Sequence, residues 1–234
     1  VRDRAQRVQF SGDVVDYVAW VSFNASDVDP KDPVTGELTD LNLGTIGAIK
    51  KTKDATTELQ PLIQTTTDTM EIPVAKVTAN PNPDDLLRDF AKSGERFTVA
   101  ARIRGAVKSA FAAGAPPPSP VPEGQSPSSP LPAHIKETKT ANIVLVADSD
   151  IFNDGFWVQA HELQGQRVAQ PIADNAVFVL NAIENLTGSD ALISLRSRGS
   201  SNRPFVVVND MRRRAEQQFL RQEQLLQEKL TATQ

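Results

Sequence analysis

NIVLVADSDIFNDGFW, residues 142–157, is the stretch on which the reading of the fold turns. Ile143 to Val146 is a short, wholly apolar run rich in β-branched side chains, the pattern of a strand buried on both faces. It ends at Ala147, after which Asp148, Ser149 and Asp150 arrive together. Three polar side chains therefore sit at the carboxyl end of a buried strand, the edge where ligands bind in open α/β sheets. The ordinary role of such residues is to cap the turn that follows, since Asp and Ser compete well for local backbone hydrogen bonds. The alternative is a ligand or metal site built on Asp148, Ser149 and Asp150. On the capping reading, Asn replaces Asp148 at little cost, because Asn caps nearly as well.

Outward from this stretch, two helices with clear start signals flank the chain's middle. Asn82-Pro83-Asp84-Asp85 is a helix start: an N-cap, a Pro at the first helical position, and acids at the positive end of the dipole. Leu86, Leu87 and Phe90 follow at helical spacing, and Gly94 marks the end. Asp174-Asn175 opens a second helix with Val177, Leu180, Ala182 and Ile183 as its apolar face and Gly188 at C′. Asn181 and Asn185 share a face of that helix and are expected at its surface. Trp157 to Gly165 is read as helix or turn, with His161 lacking a nearby partner.

Strands are expected at Arg7–Phe10, Val14–Phe23, Leu43–Ile49, Ala55–Gln64, Met70–Ile72 and Phe97–Ile103, and a last one at Leu192–Leu195. In 97–103 the alternation puts Thr98, Ala100 and Arg102 on the more polar face and Phe97, Val99, Ala101 and Ile103 toward the core. Val34–Leu41 reads as a short helix. The preceding loop carries Asp27, Asp29 and Asp32, but without the spacing or terminal Glu of a calcium-binding EF-hand loop. Gly44, Gly47 and Lys50 lack the spacing and the Ser/Thr of a phosphate loop.

Two regions differ in character. Half of the 16 prolines fall between Pro116 and Pro132, so 112–134 reads as a flexible, PPII-like insertion, solvated or docked in an aromatic groove of a partner. Asn209 to Thr231 reads as a long polar helix with a narrow seam of Met211, Ala215, Phe219, Leu226 and Leu230. The domain layout expected is an α/β domain over 1–208 and a projecting helix over 209–234. That helix offers a seam for a second copy or another protein. The loop RSRGSSNR before it brings Arg196, Arg198 and Arg203 within reach of an anion, or simply into solvent.

A chain of 234 residues with 39% hydrophobic and 23% charged residues is ordinary globular material. A net charge of -4 gives no overall pull toward nucleic acid. The absence of cysteine removes disulfides, thiolate nucleophiles and cysteine-ligated zinc. No apolar run is long enough to span a bilayer. The opening VRDRAQRVQF is already mid-pattern, so any anchor is expected outside these residues.

The ordered set of segments resembles the GldG-like family, auxiliary components of ABC-type transport systems associated with gliding motility. The likeness is carried by VVDYVAWVSF at 14–23, DPVTGELTDLNLGTIGAI at 32–49, PNPDDLLRDF at 81–90 and GERFTVAARIRG at 94–105. It continues with NIVLVADSDIFNDGFWVQ at 142–159 and NAVFVLNAIENLTGSDALISLRSRG at 175–199. The resemblance implies a three-layer α/β fold, a mostly parallel or mixed sheet with flanking helices, distantly similar to glutamine-amidotransferase-like and intraflagellar-transport domains. The nucleophilic Cys of those amidotransferases has no counterpart here. Early βαβ repeats are missing, which leaves the sheet incomplete or completed by another chain. The resemblance further implies a periplasmic or extracytoplasmic region, tethered at the bacterial inner membrane by transmembrane helices outside this segment. Its partners would be ABC permease and ATPase subunits or another extracytoplasmic protein.

Three functions follow: a non-enzymatic accessory module binding protein or polymer, a small-ligand (sugar-like) binding module, and a hydrolase using Asp148 and Asp150. Hydrolysis needs paired groups with separated pKa values. The sequence shows no GxSxG elbow, no HExxH and no other triad. The accessory module is the favoured reading, with no catalytic residue, metal or cofactor expected.

Overall fold

The computed structural model describes residues 1–78, 81–115, 133–163 and 166–188, with the backbone alone at 161–163 and 166–168. The chain divides into two compact units, Val1–Asp190 and Ala191–Gln234, and the second lies outside the described residues. So do the predicted strand 192–195, the loop RSRGSSNR, the helix over 209–234 and the core of the Pro-rich insertion.

Three antiparallel sheets make up the first unit. The first holds β1 (Ala5–Phe10), β2 (Asp13–Asn24) and β3 (Asp40–Gly44), in that order. The second holds β4 (Glu58–Gln64), β5 (Thr98–Lys108) and β6 (Glu137–Val146), with β5 in the middle. The third is the pair β7 (Val158–Leu163) and β8 (Gln166–Pro171). Ser11 and Gly12 join β1 to β2 with φ of 52° and 96°. Positive φ at both central residues is the I′ turn whose twist matches the flanking strands. Helices are short: α1 (Ala75–Thr78), α2 (Pro83–Arg88), α3 (Asp154–Trp157) and α4 (Asn175–Thr187).

This overturns the expected three-layer fold with a mostly parallel or mixed sheet. Every strand pair among the described residues is antiparallel. Parallel neighbours need a crossover of about a dozen or more residues, usually helical. Here β1–β2 close through a two-residue turn, and β4 reaches β5 past helices of only 4 and 6 residues.

The main core joins Val21 and Phe23 of β2, Leu41 and Leu43 of β3, Ile63 of β4, Val99 of β5 and Phe178 of α4. A smaller cluster sets Tyr17, Val18 and Ala19 against Leu86 of α2. Asn82 caps α2 by accepting from Asp84 N at 2.9 Å, as expected of Asn-Pro-Asp-Asp. The helix stops at Arg88, short of Gly94.

Several local expectations fail for tertiary reasons. The run Ile143–Val146 lies in β6, an edge strand of its sheet, not a strand buried on both faces. Ile143 and Leu145 are 42% and 43% exposed, while Val144 and Val146 pack toward the core. The strand buried on both faces is β5, where Val99, Ala100, Ala101 and Arg102 are all fully buried. Of the expected helix Val34–Leu41, Val34–Glu37 forms turns, with Thr35 N and Gly36 N both donating to Asp32 O, and Asp40 and Leu41 belong to β3. β3 ends at Gly44, Met70–Ile72 pairs with no strand, and 158–163 is strand rather than helix or turn.

In α4 the apolar pattern points outward. Asn175, Phe178, Ala182 and Asn185 are its buried residues. Val177, Leu180, Ile183 and Leu186 are 43–52% exposed. Gly188 ends the helix, its N–H donating to Glu184 O at 2.7 Å.

Candidate functional site

Asp148, Ser149 and Asp150 follow β6 directly, and the structure places them beside the end of β3. Asp148 Oδ1 accepts from Asp150 N at 2.7 Å, closing a local turn, and Oδ2 accepts from Gly44 N at 3.1 Å. One side chain therefore ties two sheets together through backbone donors. Asp150 Oδ2 meets the Thr45 hydroxyl at 3.4 Å. Ser149 is exposed. Burial pushes the Asp148 carboxyl above its ordinary value, partly offset by the two backbone N–H donors, while the nearby Asp150 charge adds to the rise.

The rest of NIVLVADSDIFNDGFW packs on the same place. Asn153 caps α3 by accepting from Gly155 N at 3.0 Å. Phe156 is buried over Gly44, so close that a Cβ there would lie 2.5 Å from the ring. Trp20 stacks edge-on against Phe156 and Tyr17, with centroids 5.1 and 5.4 Å apart. Gly44 thus gives its N–H to Asp148 and its open face to Phe156.

A second polar cluster was not visible in the pattern. Arg102, in the middle of β5, is 0% exposed. Its Nε and Nη2 donate to Asp32 Oδ2 and Oδ1, both at 2.8 Å, a two-pronged pair. Nη1 donates to Asn185 Oδ1 at 2.7 Å and Asn142 Oδ1 at 3.1 Å. Burial alone would raise the Asp32 carboxyl, but Arg102 and the Val34 N–H outweigh it and hold it below the ordinary range. Alternation put Arg102 on the polar face of its strand and Asn185 at the helix surface. Both are instead buried against each other. The signal available was a single Arg inside the apolar run TVAARI, a residue type rarely buried unless paired.

Asp27, Asp29 and Asp174 also have structural partners. Asp27 takes the Arg4 guanidinium at 2.8 Å and Asn24 N at 3.0 Å. Asp29 takes Lys31 N and Gln60 Nε2. The three loop acids thus point to three different places. Asp174, the predicted helix start, accepts from Thr39 N and the Thr39 hydroxyl at 2.8 and 3.0 Å instead of capping α4 with its side chain. Asn175 mimics a strand partner: its Oδ1 accepts from Asn42 N at 3.1 Å and its Nδ2 donates to Asn42 O at 2.7 Å. Among the described residues no group of three His, Cys, Asp or Glu side chains is placed to hold a metal ion.

The arrangement defines a class before it defines a family: a β-rich domain whose buried polar side chains hold backbone and one another in place. A sequence model of the family described as an ABC-type uncharacterized transport system matches residues 3–182. The chain belongs to this family, and is an auxiliary component of an ABC-type transport system. No curated protein and no solved structure matches it. That system is membrane-associated, and among the described residues no helix is long and apolar enough to cross a membrane.

Proposed function

We propose that this domain is a non-enzymatic, extracytoplasmic accessory module that works by holding another protein of its transport system. The observation that carries the reading is the outward stripe of α4. Val177, Leu180, Ile183 and Leu186 recur every three residues and stay about half exposed, opposite the side that meets the core. Such an i±3 row is the ridge that packs into the groove of another helix. Membership of an auxiliary-component family makes the extracytoplasmic part of a permease subunit, which links the module to its ATPase, or a second extracytoplasmic protein, the natural owner of that helix. The acids that a hydrolase reading would use support the same view, because both oxygens of Asp148 already accept backbone N–H groups.

The test is a Leu180→Lys, Ile183→Glu double variant. Surface substitutions away from buried contacts change stability by about 0.5 kcal/mol or less each, so its thermal melt should stay near that of the parent. Co-purification with co-expressed permease and ATPase subunits should be lost. Undiminished co-purification overturns the reading. The side of the membrane is checked with Ser149→Cys, which a membrane-impermeant maleimide should label in intact spheroplasts.

A further inference from the structure

A cavity of about 250 Å³ opens among β2, the segment after β3, α1 and the stretch that follows β4. Val18, Ala19, Ile46, Ile72, Val77 and Phe97 give it apolar walls. Two threonines in its lining, Thr65 and Thr69, are only 2% and 3% exposed. Thr65 Oγ1 accepts from Phe97 N at 2.8 Å, which leaves its hydroxyl proton to donate. The Thr69 side chain makes no hydrogen bond among the described residues, although its carbonyl accepts from Ser93 N. Among the described residues the buried side-chain polar atom without a partner is Trp157 Nε1. The unpaired Thr69 hydroxyl therefore keeps accessible surface although its residue is only 3% exposed, and the cavity it lines is the open space beside it.

Two charged groups belong to the lining, the Val1 α-ammonium and Glu71, and both have partners. The Val1 α-ammonium donates to Val18 O at 3.0 Å, with burial holding its pKa below the ordinary value. Glu71 binds the Lys50 ammonium with both oxygens at 2.9 Å, and that ammonium lies 5.2 Å from the Phe97 ring centroid. A charged ligand would lose its hydration against these apolar walls, a cost that a neutral one does not meet. The size is also selective. An engineered apolar cavity of about 150 Å³ takes benzene, and drug-sized ligands occupy roughly 300–1,000 Å³. The space between those limits suits one substituted ring or a short chain.

We propose that this cavity binds a small neutral apolar molecule carrying one oxygen acceptor. The apolar body lies against Val18, Ile46, Ile72 and Phe97, and the oxygen takes the hydroxyl protons of Thr65 and Thr69. The site stands apart from the α4 stripe and does not depend on the accessory-module reading.

Acetophenone and ethylbenzene are matched probes, alike in shape and different in the carbonyl. In an NMR titration of the whole chain, acetophenone should shift the amides of Ala19, Ile46, Thr69 and Ile72 and bind more tightly than ethylbenzene. Thr69→Val should weaken acetophenone about two- to tenfold, the span of one neutral hydrogen bond, and leave ethylbenzene unchanged. Ala48→Phe, at the exposed rim, should block both probes. The comparison of the two probes on the parent protein stands even if a variant misfolds. The proposal is overturned if neither probe shifts those amides, if both bind equally, or if Thr69→Val weakens both alike.

Discussion

At the scale of single residues, two carboxylates pull in opposite directions with pH. Asp32 is held below the ordinary carboxylate range, so its contribution is present above the unfolded value of about 4 and is lost as pH falls through its lower folded value. Asp148 is raised by burial, so its contribution is present below about pH 4 and is lost as pH rises through the raised folded value. Urea melts from pH 7 down to pH 3 should show this as two opposite trends. The gap between parent and Asp32→Asn narrows as pH falls, while the gap between parent and Asp148→Asn widens. Parallel trends would contradict the two environments.

The same residues differ in what their loss removes. Breaking a buried ion pair by deleting one partner costs about 3–5 kcal/mol, because the other charge stays buried. Arg102→Ala should therefore bring the domain close to unfolding, given total stabilities of about 5–15 kcal/mol. Asp148→Asn is no longer a neutral exchange. Both carboxylate oxygens accept backbone N–H groups, and an amide turns its own NH₂ toward one of them. Leaving one such donor unpaired costs about 1–3 kcal/mol, partly offset by removal of a buried charge. Denaturant midpoints at pH 7 should rank parent above Asp148→Asn, and Asp148→Asn above Asp148→Ala.

At the scale of elements, the edge position of β6 separates neighbours in sequence. Val144 faces the core, while Ile143 and Leu145 are 42% and 43% exposed. Val144→Asp buries an unpaired carboxylate and should cost several kcal/mol. Ile143→Thr and Leu145→Thr should each cost about 1 kcal/mol or less. Equal losses at 143 and 144, measured by thermal melts, would show that the outer face is covered after all. Gly44→Ala is the matching test at the end of β3. Its added methyl would meet the Phe156 ring at 2.5 Å, and overpacking of that kind costs about 1–3 kcal/mol.

At the scale of the whole molecule, the Pro-rich segment is flanked by a closed hairpin. β5 and β6 remain paired out to Lys108 and Glu137. Ser109 N then donates to Lys136 O at 2.8 Å, and His134 Nε2 meets Phe111 O at 2.8 Å. Loop length enters stability only logarithmically, about 0.6 kcal/mol per doubling. Replacing residues 116–132 by a short Gly/Ser linker should shift the melting temperature by no more than a few degrees. Loss of soluble protein would show that the segment is packed.

What the sequence determined by itself was local. Asn82-Pro83 started a helix because cap and ring act within a single turn. The second helix ended at Gly188, though with extended backbone (φ −124°) instead of the left-handed C′ geometry that glycine there suggests. The strand at 14–23 held, with alternation over 20–23, where Val21 and Phe23 face inward and Trp20 and Ser22 outward, and with Tyr17, Val18 and Ala19 buried in succession before it. Family membership was also legible, since an ordered set of short segments survives even when no single motif is diagnostic. Tertiary structure alone decided which strand took the middle of its sheet. An apolar run such as Ile143–Val146 looks the same at an edge as at a centre, and only pairing made β5 central. It likewise decided the fate of the polar side chains. Arg102 and Asn185 belong inside because Asp32, 70 residues away from Arg102, closes the pair, and no periodicity within one segment encodes a partner that distant. Asp148 was legible as a turn-maker, but its second oxygen found Gly44 only when two sheets met.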